Sequence, residues 1–196
     1  MKYNHRDYIW KARRFLELVR GLDLLRTLEP AELDLDPKIY YRASPSGGRH
    51  LEKLLKSLSI SNSNSVLDVG CGKGSALRSL SKFPFKVCDG IELSPLVASI
   101  AQKNFRSRFS SVRVFEGDVL DFERLHDYDH YYLYNPFSYE LAKEFFSKIS
   151  KSNRFIRVIY NNPEAESLPT EFGFHLKTVT PNHWGGMIYT YENHLS

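Results

Sequence analysis

One run of this chain, Val66-Leu67-Asp68-Val69-Gly70-Cys71-Gly72-Lys73-Gly74, has the residue types and spacing of a ligand loop. Glycines at every second position after a short apolar stretch let a ligand approach the backbone. Such a turn can hold a pyrophosphate, but two residues oppose that use. The nucleotide fingerprint requires a third glycine at position 75, which is Ser75. Asp68, two residues before the first glycine, would repel a diphosphate. A carboxylate there suits a ligand with a cationic end. Two further acids follow at similar intervals, Glu92 and Asp118. An acid at the first position can accept from both hydroxyls of a ribose, and one at the second can accept from an adenine amino group. Asn135-Pro136-Phe137 comes next. Taken singly, each of these acids also reads as a solvated strand end, and the glycine run as a plain strand-to-helix turn.

The elements that must position these residues follow from the hydrophobic rhythm. Strands are expected over Ser65–Val69, Lys86–Ile91, Val112–Phe115, Asp129–Tyr134 and Arg154–Tyr160. Helices are expected over Ser75–Lys82, from Ser94-Pro95 to about Phe105, and over Ser138–Ile149. Ser94 suits an N-cap and Pro95 the first turn. Strands alternating with helices imply right-handed crossovers and a parallel sheet. His175–Val179 and Met187–Tyr191 follow each other without a helix, so they form an antiparallel hairpin. In such a sheet ligands bind beyond the carboxyl ends of the strands. That places the Gly70 loop, Glu92, Asp118 and Asn135–Phe137 on one edge.

In these motifs the sequence resembles the class I, Rossmann-like S-adenosylmethionine-dependent methyltransferases. The similarity lies in Asp-Val-Gly-Cys-Gly-Lys-Gly, Gly-Ile-Glu-Leu-Ser, Glu-Gly-Asp-Val and Asn-Pro-Phe, in that order, and covers about Ser65–Ser196. S-adenosylmethionine has the cationic end that Asp68 calls for, an α-ammonium beside a sulfonium. The resemblance implies a doubly wound, mostly parallel seven-stranded α/β sheet with an antiparallel C-terminal hairpin strand. By it, Asp68, Gly70, Gly72, Glu92 and Asp118 contact the cofactor, with Cys71, Gly74, Leu93, Val119 and Asn135 beside them. Residues 1–64 then form a helical N-terminal extension, a lid or docking element, ahead of a methyltransferase domain over 65–196.

Asn135, Pro136 and Phe137 are the catalytic candidates. They resemble the Asp/Asn-Pro-Pro-Tyr/Phe motif of amino-group methyltransferases with one proline missing. The Asn carbonyl and neighbouring backbone carbonyls would accept from a target NH₂, and the aromatic ring would pack against the developing cation. The bland alternative is a proline ending a strand and a phenylalanine in the core. His183 is a candidate general base, and Trp184, Tyr40 and Tyr41 are candidate lids. His126 and His130 have helical metal-ligand spacing but fall at a loop-to-strand step, so no metal is expected.

Composition narrows the rest. The net charge is +4 over 196 residues, and residues 1–30 hold seven Lys/Arg against four Asp/Glu. A helix over residues 6–20, with Tyr8, Ala12, Phe15, Leu18, Val19 and Leu22 on one stripe, is expected to bury that stripe, and a second short helix is expected over Leu22–Leu28. Its basic residues lean toward an anionic partner. The longest apolar run is four residues, Tyr131 to Tyr134, far short of a membrane span of ~18, so no membrane partner is expected. The two cysteines, with no export signal, fit a cytoplasmic protein. The expected reaction is in-line methyl transfer to a nitrogen of a protein or RNA acceptor. The alternatives are a small-molecule oxygen acceptor, a non-catalytic cofactor-binding protein, and a nicotinamide enzyme that Ser75 and Asp68 disfavour.

Overall fold

Val66, Leu67 and Val69 are apolar on both sides of a short extended run, and Ser65–Val69 (β1) is buried at every position. Burial on both faces is the signature of a central strand in a parallel sheet. The computed structural model describes residues 11–12, 14–17, 19–29, 32, 42–106, 111–182 and 185–193. Among them, β1 is flanked by Val87–Glu92 (β2) and His130–Leu133 (β4), both parallel to it. Val112–Glu116 (β3) extends the sheet beyond β2, and Arg157–Asn161 (β5) beyond β4. Phe174–Pro181 (β6) and Met187–Asn193 (β7) form the expected hairpin. Its second strand inserts antiparallel between β5 and β6, giving the order β3-β2-β1-β4-β5-β7-β6.

Helices cover both faces. Arg49–Ser57 (α1), Ser75–Leu80 (α2) and Pro95–Phe105 (α3) pack on one, with Leu51, Leu55, Leu77 and Phe105 buried against Val66, Tyr132 and Ile159. Tyr139–Ile149 (α4) packs on the other through Phe145 and Phe146, with Leu168–Glu171 (α5) contributing Leu168. Ser94 caps α3 by accepting from the Val97 N–H, and Pro95 opens it, as its sequence predicts.

The N-terminal segment departs from its expectation. Residues 11–12, 14–17 and 19 are helical, yet Phe15, Leu16 and Val19 are 66%, 50% and 69% exposed. Tyr8 and Leu18 of that stripe, and Tyr40, Tyr41, His183 and Trp184, lie outside the described residues. Residues 22–28 are not helical. Leu22, Leu24 and Leu28 are buried from a non-helical run, and Leu28 pairs with Ala43 through an antiparallel bridge. That pairing satisfies both backbone groups of Leu28, which a second helix would have satisfied internally. Asn104 fastens this run to α3: its Oδ1 accepts from the Asp23 N–H, and its Nδ2 donates to the carbonyls of Asp23 and Lys73.

Candidate active site

The strand tips converge on one open cleft at the carboxyl edge of the sheet, the edge where ligands bind in such folds. Gly70, Cys71 and Gly72 form its floor, Glu92 and Leu93 extend it at the end of β2, and Asp118 and Val119 at the end of β3. Pro136 and Phe137 close it beyond β4. Backbone bonds hold these tips together. Cys71 N–H donates to the Ile91 carbonyl at 3.0 Å, and Gly117 N–H to the Glu92 carbonyl at 3.0 Å. Gly70 has φ +64°, and a Cβ there would stand 2.6 Å from Pro136 Cβ. Only glycine allows both that turn and the close approach of the two loops.

Glu92 is buried and bound at both oxygens. Oε2 accepts from the Gly72 N–H at 2.9 Å and Oε1 from the Ser94 N–H at 3.0 Å. Burial raises its carboxyl above the ordinary carboxylate range, against the lowering effect of those N–H groups. A carboxylate oxygen takes two hydrogen bonds, so each retains capacity for a ligand. Asp118 caps the single 3₁₀ turn Val119–Asp121 through Oδ1, which accepts from Leu120 N–H at 2.9 Å.

Three of the expected residues lie outside the cleft lining. Asp68 is buried below the loop, because residues two apart on a strand share a face and that face is covered by α2. Its Oδ2 is buried without a hydrogen-bond partner. Burial, then the Glu92 charge, pushes its carboxyl well above the ordinary range, with the Leu77 backbone opposing. Gly74 caps α2 at φ +91° against the Phe105 ring. Asn135, at φ +43°, turns its Oδ1 to the Glu164 N–H at 3.3 Å rather than into the cleft. Phe137 lines the cleft and also packs in the core, 5.9 Å from the Phe145 ring.

Other candidates are accounted for locally. Lys73 Nζ is buried and bound to Asp23, which removes it from any phosphate. Burial lifts the Cys71 thiol well above its ordinary value, the opposite of an activated nucleophile. His130 bonds Asp129 through Nδ1 inside β4. No group of three His, Cys, Asp or Glu among the described residues could hold a metal, and no described helix is long and apolar enough to cross a membrane.

The sequence reading missed Arg42, Ala43, Ser44 and Ser46, which line the cleft from the N-terminal side, and Tyr134 beyond β4. The only local signal was Ser44-Pro45-Ser46-Gly47-Gly48, which reads as a loop.

A cleft with carboxylates at two tips, a third beneath it and its one loop lysine already paired fits a cationic nucleoside and not a polyphosphate. Comparisons with known proteins agree. Residues 66–155 match the family profile described as a methyltransferase domain. A small RNA 2'-O-methyltransferase of Arabidopsis thaliana is 30% identical over 95 residues, which is 43% of this chain. The chain spans only about a tenth of that relative's length. An RNA methyltransferase from Salinibacter ruber, solved with S-adenosyl-L-homocysteine, superposes with TM-score 0.57 at 16% identity over 72% of this chain and 88% of its own. The magnesium protoporphyrin IX methyltransferase of Synechocystis, solved with its cofactor, gives TM-score 0.59 at 15% identity over 74% and 76%. These two likenesses establish a shared fold.

Proposed function

We propose that the chain is a class I S-adenosylmethionine-dependent methyltransferase, a reading supported by the methyltransferase-domain match over residues 66–155, and that it transfers a methyl group to a nitrogen of a macromolecular acceptor, with RNA ahead of protein. The observation that carries the reading is the convergence of the Gly70–Gly72 turn, Glu92 and Asp118 on one cleft. In that cleft Glu92 would accept from ribose hydroxyls through the capacity its two backbone bonds leave over. Asp118 would accept from the adenine amino group. Val119, Leu120 and Phe137 would cover the base and exclude water. Asp68, whose carboxyl burial pushes up, would have its ionised form favoured by the ligand's cationic end. When bound, S-adenosylmethionine supplies a methyl already activated on a sulfonium. The protein's task is therefore in-line positioning and exclusion of competing water.

The nitrogen assignment rests on what the lining lacks a use for. A nitrogen acceptor presents its own lone pair, whereas a hydroxyl must lose its proton to a base. Among the described lining residues no histidine or lysine faces the cleft, and Glu92 and Asp118 already serve backbone N–H groups. Backbone carbonyls of the Asn135–Phe137 turn would hold the acceptor N–H. Asn135 itself, through Glu164, would fix the turn rather than touch the acceptor. The RNA preference draws on the Arabidopsis relative's named substrate and on the basic N-terminal segment. That same relative favours a second reading, transfer to a ribose 2'-oxygen.

One experiment separates these. The full chain is incubated with methyl-tritiated S-adenosylmethionine and, separately, with RNA, protein and small-molecule fractions of a cell extract. Label in base-methylated nucleosides is the expected result. Label in 2'-O-methylated nucleosides moves the reading to oxygen, and label only in the small-molecule fraction overturns it.

A further inference from the structure

The charged residues that line the cleft are unequal in number. Glu92 and Asp118 are acids, Asp68 lies buried beneath them, and Arg42 is the one cation among the described lining residues. No hydrogen bond or ion pair among the described residues engages the Arg42 side chain, which is exposed. Its place along the cleft is defined. The next residue, Ala43, lies 3.7 Å from where a Cβ on Gly72 would stand. Arg42 therefore sits by the glycine turn of β1, whereas Asp118 lies two strands away beyond β3.

The segment that carries Arg42 is pinned. Ala43 exchanges two backbone hydrogen bonds with Leu28, at 2.9 and 3.2 Å. Tyr132 Oη donates to the Ser46 carbonyl at 3.3 Å. Gly47 and Gly48 donate their N–H groups to Ser75 Oγ and Ser79 Oγ at 3.2 and 2.8 Å. A Cβ on Gly47 would stand 2.0 Å from the Ser75 carbonyl oxygen, so the strap lies directly on α2. Anchors from Ala43 to Gly48 deliver Arg42 to one end of the cleft.

S-adenosylmethionine has two cationic groups and one anionic group, its α-carboxylate. The acids at the strand tips suit the hydroxyls, the amine and the cations, and they repel the carboxylate. Lys73, the cation within the glycine loop, is paired to Asp23 with its side chain 2% exposed. We propose that Arg42 holds the α-carboxylate of the bound cofactor, so that recognition of its amino-acid end depends on a strap N-terminal to the sheet. The proposal rests on the cofactor reading above.

The test compares two ligands that differ in that end. S-adenosylhomocysteine carries the carboxylate, and 5'-methylthioadenosine lacks the whole amino-acid moiety. Both are titrated calorimetrically into the full chain as wild type, Arg42→Met and Arg42→Lys, with a thermal melt of each variant. Arg42→Met is expected to weaken S-adenosylhomocysteine about 10- to 100-fold, the scale of a hydrogen bond to a charged group. It should leave 5'-methylthioadenosine unchanged, and Arg42→Lys should recover part of the loss. Equal loss for both ligands would assign Arg42 a structural role and overturn the proposal. Unchanged S-adenosylhomocysteine binding with weakened transfer to RNA would overturn it too, and would turn Arg42 toward the acceptor. A wild type that binds neither ligand refutes the cofactor reading itself, a result distinct from both.

Discussion

The two ends of the sheet handle charge in opposite ways. Toward the amino ends of the strands every buried charge described has a partner. Asp89, fully buried, accepts from Arg113 through Nε at 3.0 Å and Nη2 at 2.6 Å, and from Tyr128 Oη at 2.7 Å. Asp129 takes the Ser65 N–H and bonds His130 Nδ1, His130 Nε2 meets Arg157 at 3.0 Å, and Arg157 pairs with Glu192 at 2.6 Å. At the carboxyl ends Lys73 is paired to Asp23, but among the described residues Asp68 keeps a buried oxygen without a partner, Glu92 has only backbone N–H groups, and the Arg42 side chain meets no partner. A buried charge left without a counter-ion is costly. A fold that satisfies its charges at one end and leaves them waiting at the other separates what stabilises it from what binds. The pKa directions agree. Burial raises Asp68 and Glu92. For Asp129 burial also raises, but the His130 and Ser65 hydrogen bonds outweigh it and the carboxyl sits below its ordinary value.

The largest expected effect would come from the satisfied end. Asp89→Ala leaves Arg113 and Tyr128 without their shared acceptor. A fully buried pair broken on one side costs about 3–5 kcal/mol. Arg113 is half exposed, which lowers the expectation to about 2–3 kcal/mol. Urea unfolding measures this, and S-adenosylhomocysteine affinity of the folded protein should not change. If affinity fell as well, the division between the two ends would not hold.

At the waiting end the balance should invert. Glu92→Gln is expected to weaken S-adenosylhomocysteine by about 10-fold or somewhat more, roughly 1.5 kcal/mol, the lower end for a charged hydrogen bond. The ligand-free melting temperature should fall only slightly, because the Gln amide can accept from only one of the Gly72 and Ser94 N–H groups while a costly buried carboxyl is gone. Calorimetry beside a thermal melt reads both, and a destabilised variant with normal affinity would place Glu92 with the structural charges instead.

The smallest signal is a slope. Asp68 binds its proton more tightly folded than unfolded, so the native state retains a proton that the unfolded chain has released. Its contribution to stability is therefore present below the unfolded carboxyl value, about 3.9. It declines as pH rises toward the raised folded value, by at most about 1.4 kcal/mol per pH unit. Asp68→Asn should remove this decline, and so should saturating S-adenosylhomocysteine, whose ammonium stabilises the ionised form. Urea midpoints across the window test it. A wild type and variant that run parallel would show that Asp68 is already satisfied.

The glycine turn, Glu92 and Asp118 were legible because each ends an apolar strand, and strand ends in a parallel sheet share an edge by topology alone. What was not legible depends on side-chain direction or on distant partners. Asp68 follows the alternation of β1 onto the α2 face, and nothing in the motif says what covers that face. Asn135 adopts a positive φ that carries its amide to Glu164. Leu22, Leu24 and Leu28 carry an apolar pattern compatible with a helix, yet they are buried from a non-helical run in which Leu28 pairs with Ala43. Arg42 has no periodic neighbours at all, and the groups that fix its strap are Leu28, Ser75, Ser79 and Tyr132.

Those partners have a consequence in the order of events during folding. The strap and the segment before it are closed by contacts spanning 28 residues from Gly47 to Ser75, 50 from Asp23 to Lys73, 81 from Asp23 to Asn104 and 86 from Ser46 to Tyr132. Each loop of that length must be closed against chain entropy before its hydrogen bond returns anything. On the ribosome this segment emerges before the strands it docks on, and its contact with Tyr132 must wait until β4 has been made. The wall that completes the cleft is thus made before its partners and is among the last parts to lock.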